Sequence, residues 1–389
     1  MLVKGDLLTM TATPPASART FVLQDREPRL HPEVLSLDAP RADEVLVEVA
    51  ACGVCHTDLH VLKDEVAFPR PAVLGHEISG VVLQVGDRVT RVKPGDRVAC
   101  SFIMPCGRCR HCERGISELC EVFFTQNRLN GRLLDGTTRL HRPDGSQVAM
   151  YSMSGHADRA VVPVNAVFPL LDEVSLPDAA ILGCSIFTGY GAVYHVGEVG
   201  PGDDVVVVAA GGIGLSIIHL ARVAGATNII AVDIDDEKLA LARQLGATAT
   251  INSTVADPAT VVAQLLGHGA TVVFEALGST ATTKQAVDLV DDGGRVVLAG
   301  IAPAGHLLEV EITKLVRRKI QIRGCFGAPP AQTMPKVIEL AATGALEFSK
   351  LITNRYRFDQ IDQAYQDLAN RKIRGRGVVQ IGGEHTRAM

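Results

Sequence analysis

The sequence predicts an α/β chain of two units: a β-rich, barrel-like segment, then a doubly wound parallel sheet suited to a nucleotide. Three observations carry that reading. Short Val-rich runs (EVLVEVA, ISGVVLQV, RVAC), separated by turns such as VKPGDRV, fill residues 20–100. From about Ile181 to Gly324, the runs VVVVAA, IIAVDI, ATATIN, TVVFEA and RVVLAG alternate with helical patterns such as DEKLALARQLG and TTKQAVDLV. Strands alternating with helices make βαβ units whose sheet is covered on both faces. Finally, 389 residues exceed one ordinary core, so two units are expected.

The opening residues, MLVKGDLLTMTATPPASA, lack the basic and then apolar order of a secretory leader and read as a loose tail over 1–18. A cytoplasmic location is the matching expectation. Residues 101–150 are rich in Gly, Arg and Cys without clear periodicity, so they read as mostly loop, with turns at LLDGTT and RPDGS. The run 205–226 approaches membrane-spanning length, but its glycines, His219 and Arg222 favour a strand, a tight turn and a helix. After Gly324, the helices PKVIELAATG and DQIDQAYQDLA and the strand GVVQI are expected to pack back on the first unit.

Composition removes several function classes. With 47% hydrophobic and 21% charged residues, a net charge of −5, no Trp and 4% aromatics, the chain offers neither a nucleic-acid footprint nor a membrane surface.

The glycine turn AAGGIGLS follows the first strand of the second unit and opens a helix. Gly211, Gly212 and Gly214 allow a tight turn whose backbone N–H groups approach a pyrophosphate at the helix N-terminus. The first position of the G-x-G-x-x-G pattern is Ala209. Asp233 closes the second strand about twenty residues on, where a carboxylate accepts bonds from a ribose 2′-OH and repels a 2′-phosphate. NAD is therefore favoured over NADP.

Nine cysteines without a leader predict reduced thiols with metal or catalytic roles. Cys106, Cys109, Cys112 and Cys120 have the spacing C-x2-C-x2-C-x7-C, which suits tetrahedral thiolate ligation. A bacterial ferredoxin run would end in x3 and a proline. Four protein ligands leave no open position, so this ion is structural. A second, scattered set comprises Cys52, Cys55, His56, Asp58, His60, His76, Glu77 and Cys184. Two thiolates and one imidazole would leave a fourth position open, the catalytic pattern. Cys52 and Cys55 also read as a C-x-x-C redox pair, although no thioredoxin-like βαβ pattern surrounds them.

With those residues in view, the chain resembles the zinc-containing alcohol dehydrogenases of the medium-chain dehydrogenase/reductase superfamily. The likeness runs from about Thr20 to Gly382 through GVCHTD, GHE, VKPGDRV, the four-cysteine lobe, GCSIFTGYG, the glycine turn and VDID. It implies a GroES-like β-barrel catalytic domain over 19–184 and 325–389, with a structural zinc lobe at 100–121. A Rossmann NAD-binding domain then spans 185–324. Two zinc ions per chain follow: Cys55, His76 and Cys184 hold the catalytic one, and the four-cysteine lobe holds the other.

The resemblance also assigns supporting roles. Glu77 stands behind the catalytic metal as a transient ligand, Cys52 is a packed thiol, and Asp58 accepts the second N–H of His76. Thr57 bonds the substrate oxygen and passes its proton through the cofactor ribose to His60. Thr188, Ile213 and the glycines join the cofactor set, with Asp233 and Lys238 at the adenosine ribose. His56 replaces a frequent pyrophosphate-binding Arg, keeping a donor without a guaranteed charge. Arg376, or failing it Arg374, is a further pyrophosphate contact.

Phe102, with Phe187 and residues around Leu182, lines the substrate cleft, while His156 and Arg159 are candidates for reading a carboxylate. The implied activity is reversible hydride transfer between a small alcohol and NAD, giving an aldehyde or ketone, with the alkoxide stabilised by zinc. A homodimer or homotetramer is implied as well. The departures are Ala209 and the stretch Phe123–Ser154. Two alternatives stand: a zinc-free enone or quinone reductase of this fold, and a non-catalytic binding protein.

Overall fold

The computed structural model describes residues 16–25 and 27–382, so most of the tail expected at 1–18 lies outside the described residues. The β-rich half contains two sheets. A small closed barrel joins Ala16–Leu23, Leu30–Leu37, Leu140–His141, Gln147–Met150 and Ala72–Val73. Beside it, a seven-stranded sheet runs in the order Val167–Pro169, Arg97–Cys100, Ile78–Val85, Glu44–Val54, Arg376–Gln380, Ile352–Arg357, with Arg159–Pro163 also on Glu44–Val54.

The long strand Glu44–Val54 is buried along nearly its whole length, as a Val-rich run with neighbours on both sides must be. The chain's last strand pairs antiparallel with its far end, Gly377 opposite Val54 and Val379 opposite Cys52. The C-terminal segment therefore does return to the first unit.

The second half is a six-stranded sheet in the order Ala249–Asn252, Asn228–Asp233, Asp204–Val208, Ala270–Glu275, Val290–Leu298, Gln321–Gly324. Every neighbouring pair is parallel. Counted along the chain this is the order 3-2-1-4-5-6, whose reversal leaves a crevice at the carboxyl ends of the strands. Residues 205–226 resolve into the strand Asp204–Val208 and the helix Gly212–Val223. Among the described residues, no helix is long and apolar enough to cross a membrane.

Residues 101–150 carry more structure than the sequence predicts. Phe123–Leu129 forms a wide helix with i→i+5 bonding, and the RPDGS turn closes a hairpin between Leu140–His141 and Gln147–Met150. A wide helix lacks the 3.6-residue rhythm that marks ordinary helices, and such segments frequently sit at functional sites. Buried Asn127 fastens it, its side-chain amide donating to the carbonyls of Arg132, Met150 and Ser152 at 3.0–3.1 Å.

The glycine turn is tight: a Cβ on Gly214 would lie 1.9 Å from the Ala209 carbonyl oxygen. Ala209 itself sits at φ +75°, the left-handed region that favours glycine. That conformation costs an L-residue about 1–2 kcal/mol, against the ~0.4–1 kcal/mol that glycine loses through a freer unfolded chain. Ala209→Gly is therefore expected to raise unfolding stability by up to about 1 kcal/mol. Denaturant unfolding checks this; a loss of stability would show that the turn is not strained.

Candidate metal centre and cofactor cleft

Cys55 and Cys184 occupy equivalent places, each at the N-cap of a short helix, His56–Leu62 and Ser185–Tyr190. Exposed backbone N–H groups at a helix start favour a thiolate there. His76 and Glu77 stand immediately before the strand Ile78–Val85. Pairing of that strand with Glu44–Val54 carries them to Cys55.

One ligand atom from each of Cys55, His76, Glu77 and Cys184 falls within 4.8 Å of the others, and all four residues are buried. Tetrahedral bonds of about 2.0–2.3 Å place ligand atoms roughly 3.3–3.8 Å apart, so this donor set fits one zinc-sized ion. Cys52 is not in the group; its thiol is buried in the long strand and packs on the Gly53 carbonyl at 3.5 Å.

The surrounding charges suit ligation. His76 Nδ1 stands 2.9 Å from Asp58 Oδ2, leaving Nε2 on the side of the thiols. Asp58 is fully buried, and its other oxygen accepts the Gly75 N–H at 3.0 Å. Desolvation works against a charged His76, but Asp58 and Cys55 override it and raise the ring to about 9. The Cys184 thiol serves as a donor toward Cys55, which holds Cys55 well below the usual thiol range and Cys184 well above it.

Glu77 is fully buried, with one oxygen on the Arg376 guanidinium and the other unpartnered among the described residues. A Cβ on Gly53 would lie 2.1 Å from that second oxygen, so only glycine fits beneath it.

Arg376 leads from this cluster to the glycine turn, because a Cβ on Gly212 would meet its Cδ at 2.6 Å. Desolvation lowers the pKa of His56, and the charges of Arg376, His60 and Lys238 lower it further, which brings these basic groups into one neighbourhood. Arg374 is committed elsewhere, 2.9 Å from Asp235 and 2.6 Å from Glu237.

Asp233 accepts the Ala210 N–H at 2.7 Å and the Ile234 N–H at 2.8 Å, tying the second strand to the glycine turn. Lys238 follows in the first turn of the helix Asp236–Leu245. Buried Thr188 lies on the Cys184 helix, whose Gly189 packs against Ser216 of the glycine-turn helix. Ile213, between the turn glycines, is half-buried.

On the helix after Cys55, Asp58 turns inward while Thr57 is half-buried and His60, three residues on, faces outward beside Glu65. The Phe102 ring lies 6.0 Å from the His76 ring and equally far from Phe187, and 5.7 Å from Phe326.

The second cluster is the lobe at 106–120. Its four ligand atoms also lie within 4.8 Å, with Cys109 Sγ 3.5 Å from Cys112 Sγ and 3.9 Å from Cys120 Sγ. Cys120 Sγ accepts the N–H groups of Cys106 and Phe123 at 3.2 and 3.4 Å. Desolvation raises the thiols of Cys112 and Cys120, yet at Cys109 hydrogen bonds from Cys112 and backbone amides win and lower it to about 6.

Residues 41–172 match the family described as the alcohol dehydrogenase GroES-like domain, and residues 212–343 match the zinc-binding dehydrogenase family. An "NDMA-dependent alcohol dehydrogenase" of Amycolatopsis methanolica is 35% identical over 351 residues, covering 88% of this chain and 94% of that protein. An "S-(hydroxymethyl)glutathione dehydrogenase" of Saccharomyces cerevisiae is 34% identical over 372 residues, covering 92% and 95%. Among solved structures, benzyl alcohol dehydrogenase from Acinetobacter calcoaceticus superimposes with a TM-score of 0.88 at 32% identity, covering 94% of this chain and all of that one.

The two residues expected to read a carboxylate each make a contact within the chain, although Nδ1 of His156 has no partner among the described residues. Arg159 reaches back to the Ser17 carbonyl at 3.4 Å. His156 is fully buried and its Nε2 lies 3.0 Å from the Tyr365 hydroxyl. Desolvation depresses His156 to about 4, below the ordinary 6.5, so the folded state holds it neutral. The stability this contributes is complete above pH 6.5 and is lost as pH falls from there toward 4. It amounts to something on the order of 3 kcal/mol. His156→Gln is expected to flatten the fall in unfolding free energy between pH 7 and pH 4.5; parallel curves for the two proteins would refute this.

Proposed function

The chain belongs to the zinc-containing alcohol dehydrogenase family of the medium-chain dehydrogenase/reductase superfamily, and from that premise we propose a zinc- and NAD-dependent oxidoreductase that interconverts a small alcohol with its aldehyde or ketone. The observation that carries this reading is the buried Cys55–His76–Glu77–Cys184 cluster, linked through Arg376 to the glycine turn. Cys55, His76 and Cys184 are the proposed catalytic zinc ligands, and Cys106, Cys109, Cys112 and Cys120 the structural ones. A zinc-free reductase of the same fold has no need of the first set.

When bound, zinc supplies Lewis-acid polarisation of the substrate oxygen and the nicotinamide exchanges hydride. The chain's own residues do the rest. Asp58 fixes His76 so that Nε2 faces the thiols. Thr57 holds the substrate hydroxyl and passes its proton toward His60, which stands at the solvent side with Glu65.

Gly211, Gly212, Ile213, Gly214, Thr188, His56 and Arg376 line the proposed pyrophosphate path, and Arg376 Nε has no partner among the described residues. Asp233 and Lys238 are assigned to the adenosine ribose, where the carboxylate favours NAD. Phe102 walls the substrate side. Proposed assembly is a homodimer or homotetramer through the outer edge of Gln321–Gly324, near which Ile301, Leu307, Ile312 and Val316 are exposed.

An alcohol and aldehyde panel with NAD and NADP tests the reading, with an artificial electron acceptor included because one relative is named NDMA-dependent. Cys55→Ala is expected to abolish turnover and lower zinc by about one ion per chain, while Cys109→Ala chiefly lowers thermal stability. Full turnover by Cys55→Ala would sink the mechanism, and no turnover on any substrate would favour a binding protein.

A further inference from the structure

Among the buried polar atoms near the zinc-ligand cluster that have no partner among the described residues are Nη1 of Arg128 and the hydroxyl of Tyr151. They belong together. The Arg128 guanidinium carbon lies 4.4 Å from the centroid of the Tyr151 ring, which stands 6.3 Å from the His76 ring. Arg128 is close enough for its charge to act on Cys184. No carboxylate of the described residues pairs with it, whereas Arg139 nearby is held by Glu44 and Asp135. Aromatic rings surround the approach, Phe124 against Phe326 at 5.4 Å and Phe326 against Phe102 at 5.7 Å.

The placement is built. The wide helix Phe123–Leu129 presents Arg128, and neighbouring Asn127 pins that helix to the carbonyls of Met150 and Ser152, on either side of Tyr151. The half-buried guanidinium stacks on the Tyr151 ring but has no carboxylate beside it, and its buried Nη1 stays short of an acceptor until something of opposite charge arrives. A single guanidinium with one phenol offers planar donors for two oxygens and one negative charge, which matches a carboxylate. The dianion of a phosphate would need more cations than these.

We propose that Arg128 and Tyr151 form a carboxylate-recognition subsite, so that the preferred substrates are alcohols or aldehydes carrying a carboxylate across an apolar or aromatic spacer. This rests on the alcohol oxidoreductase reading above and names its substrate class.

The test compares para-(hydroxymethyl)benzoate with benzyl alcohol, and ω-hydroxy acids of increasing length with the matching 1-alkanols, taking the ratio of kcat/KM within each protein. Calorimetric binding of para-formylbenzoate and benzaldehyde runs alongside. The expected result is a preference for the best-fitting carboxylate of about 10–100-fold. It should collapse in Arg128→Met, survive in part in Arg128→Lys, and weaken in Tyr151→Phe. A guanidinium that only offset thiolate charge would alter both members of a pair alike. A preference for the uncharged member throughout, with no carboxylate binding by calorimetry, overturns the subsite. Absence of turnover on every alcohol instead counts against the parent reading, and calorimetry then decides the subsite alone, by whether Arg128→Met loses the carboxylate.

Discussion

The buried pair between Arg376 and Glu77 is the contact on which the geometry of the cleft depends. Both side chains are almost wholly removed from water, at 5% and 0% exposure. Burying each charge costs several kcal/mol, and only close pairing offsets it. The pair can form only if the last strand of the chain lies on Glu44–Val54, because that pairing is what carries Arg376 to the cluster. It also requires glycine at 53, under the carboxylate, and at 212, under the guanidinium stem. One ion pair thus couples the C-terminal strand, the metal cluster and the nucleotide turn, three parts of the chain that sequence separation keeps far apart.

Glu77 carries its negative charge into a site already crowded with thiols, and the groups behind it keep that arrangement tolerable. Asp58 adds another buried carboxylate, but it is held by His76 and the Gly75 N–H. Beyond it, the helix Ile361–Ala369 contributes Tyr365, whose hydroxyl meets Nε2 of His156, an imidazole that burial keeps neutral in the interior. The C-terminal segment therefore supplies both the cation in front of the cluster and the polar backing behind it. A chain ending at the parallel sheet would lack both.

What the sequence discloses follows from how local each signal is. Strands buried on both faces must be continuous apolar runs, so five of the six parallel strands are legible directly, while the edge strand Gln321–Gly324, polar and only partly buried, is not. The four cysteines of the lobe are legible because their spacing is the ligand set. Cys55, His76 and Cys184 are not legible as a set from spacing: strand pairing and two separate helix starts bring them together, and only the resemblance links them. Arg128 and Tyr151 escape detection for two reasons. A wide helix has no ordinary period, and an arginine in an irregular, glycine-rich stretch reads as surface. His156 and Arg159 look equally suitable by residue type, yet one meets Tyr365 through Nε2 and the other the Ser17 carbonyl through Nη1. Residue type alone cannot say whether a donor is already satisfied.

The four-cysteine lobe is less remote from the cleft than a closed ligand set suggests. Its last thiol accepts the N–H of Phe123, the first residue of the wide helix that carries Phe124, Asn127 and Arg128. Anchoring at Cys120 fixes one end of that helix, and Asn127 fixes its middle to the Tyr151 segment. A wide helix is intrinsically less stable than an ordinary one and holds its shape only when its surroundings over-determine it. The lobe is one of the surroundings that do so. Its rigidity is transmitted over a few residues into the proposed substrate wall, which gives the four-cysteine cluster a direct bearing on the proposed catalytic site.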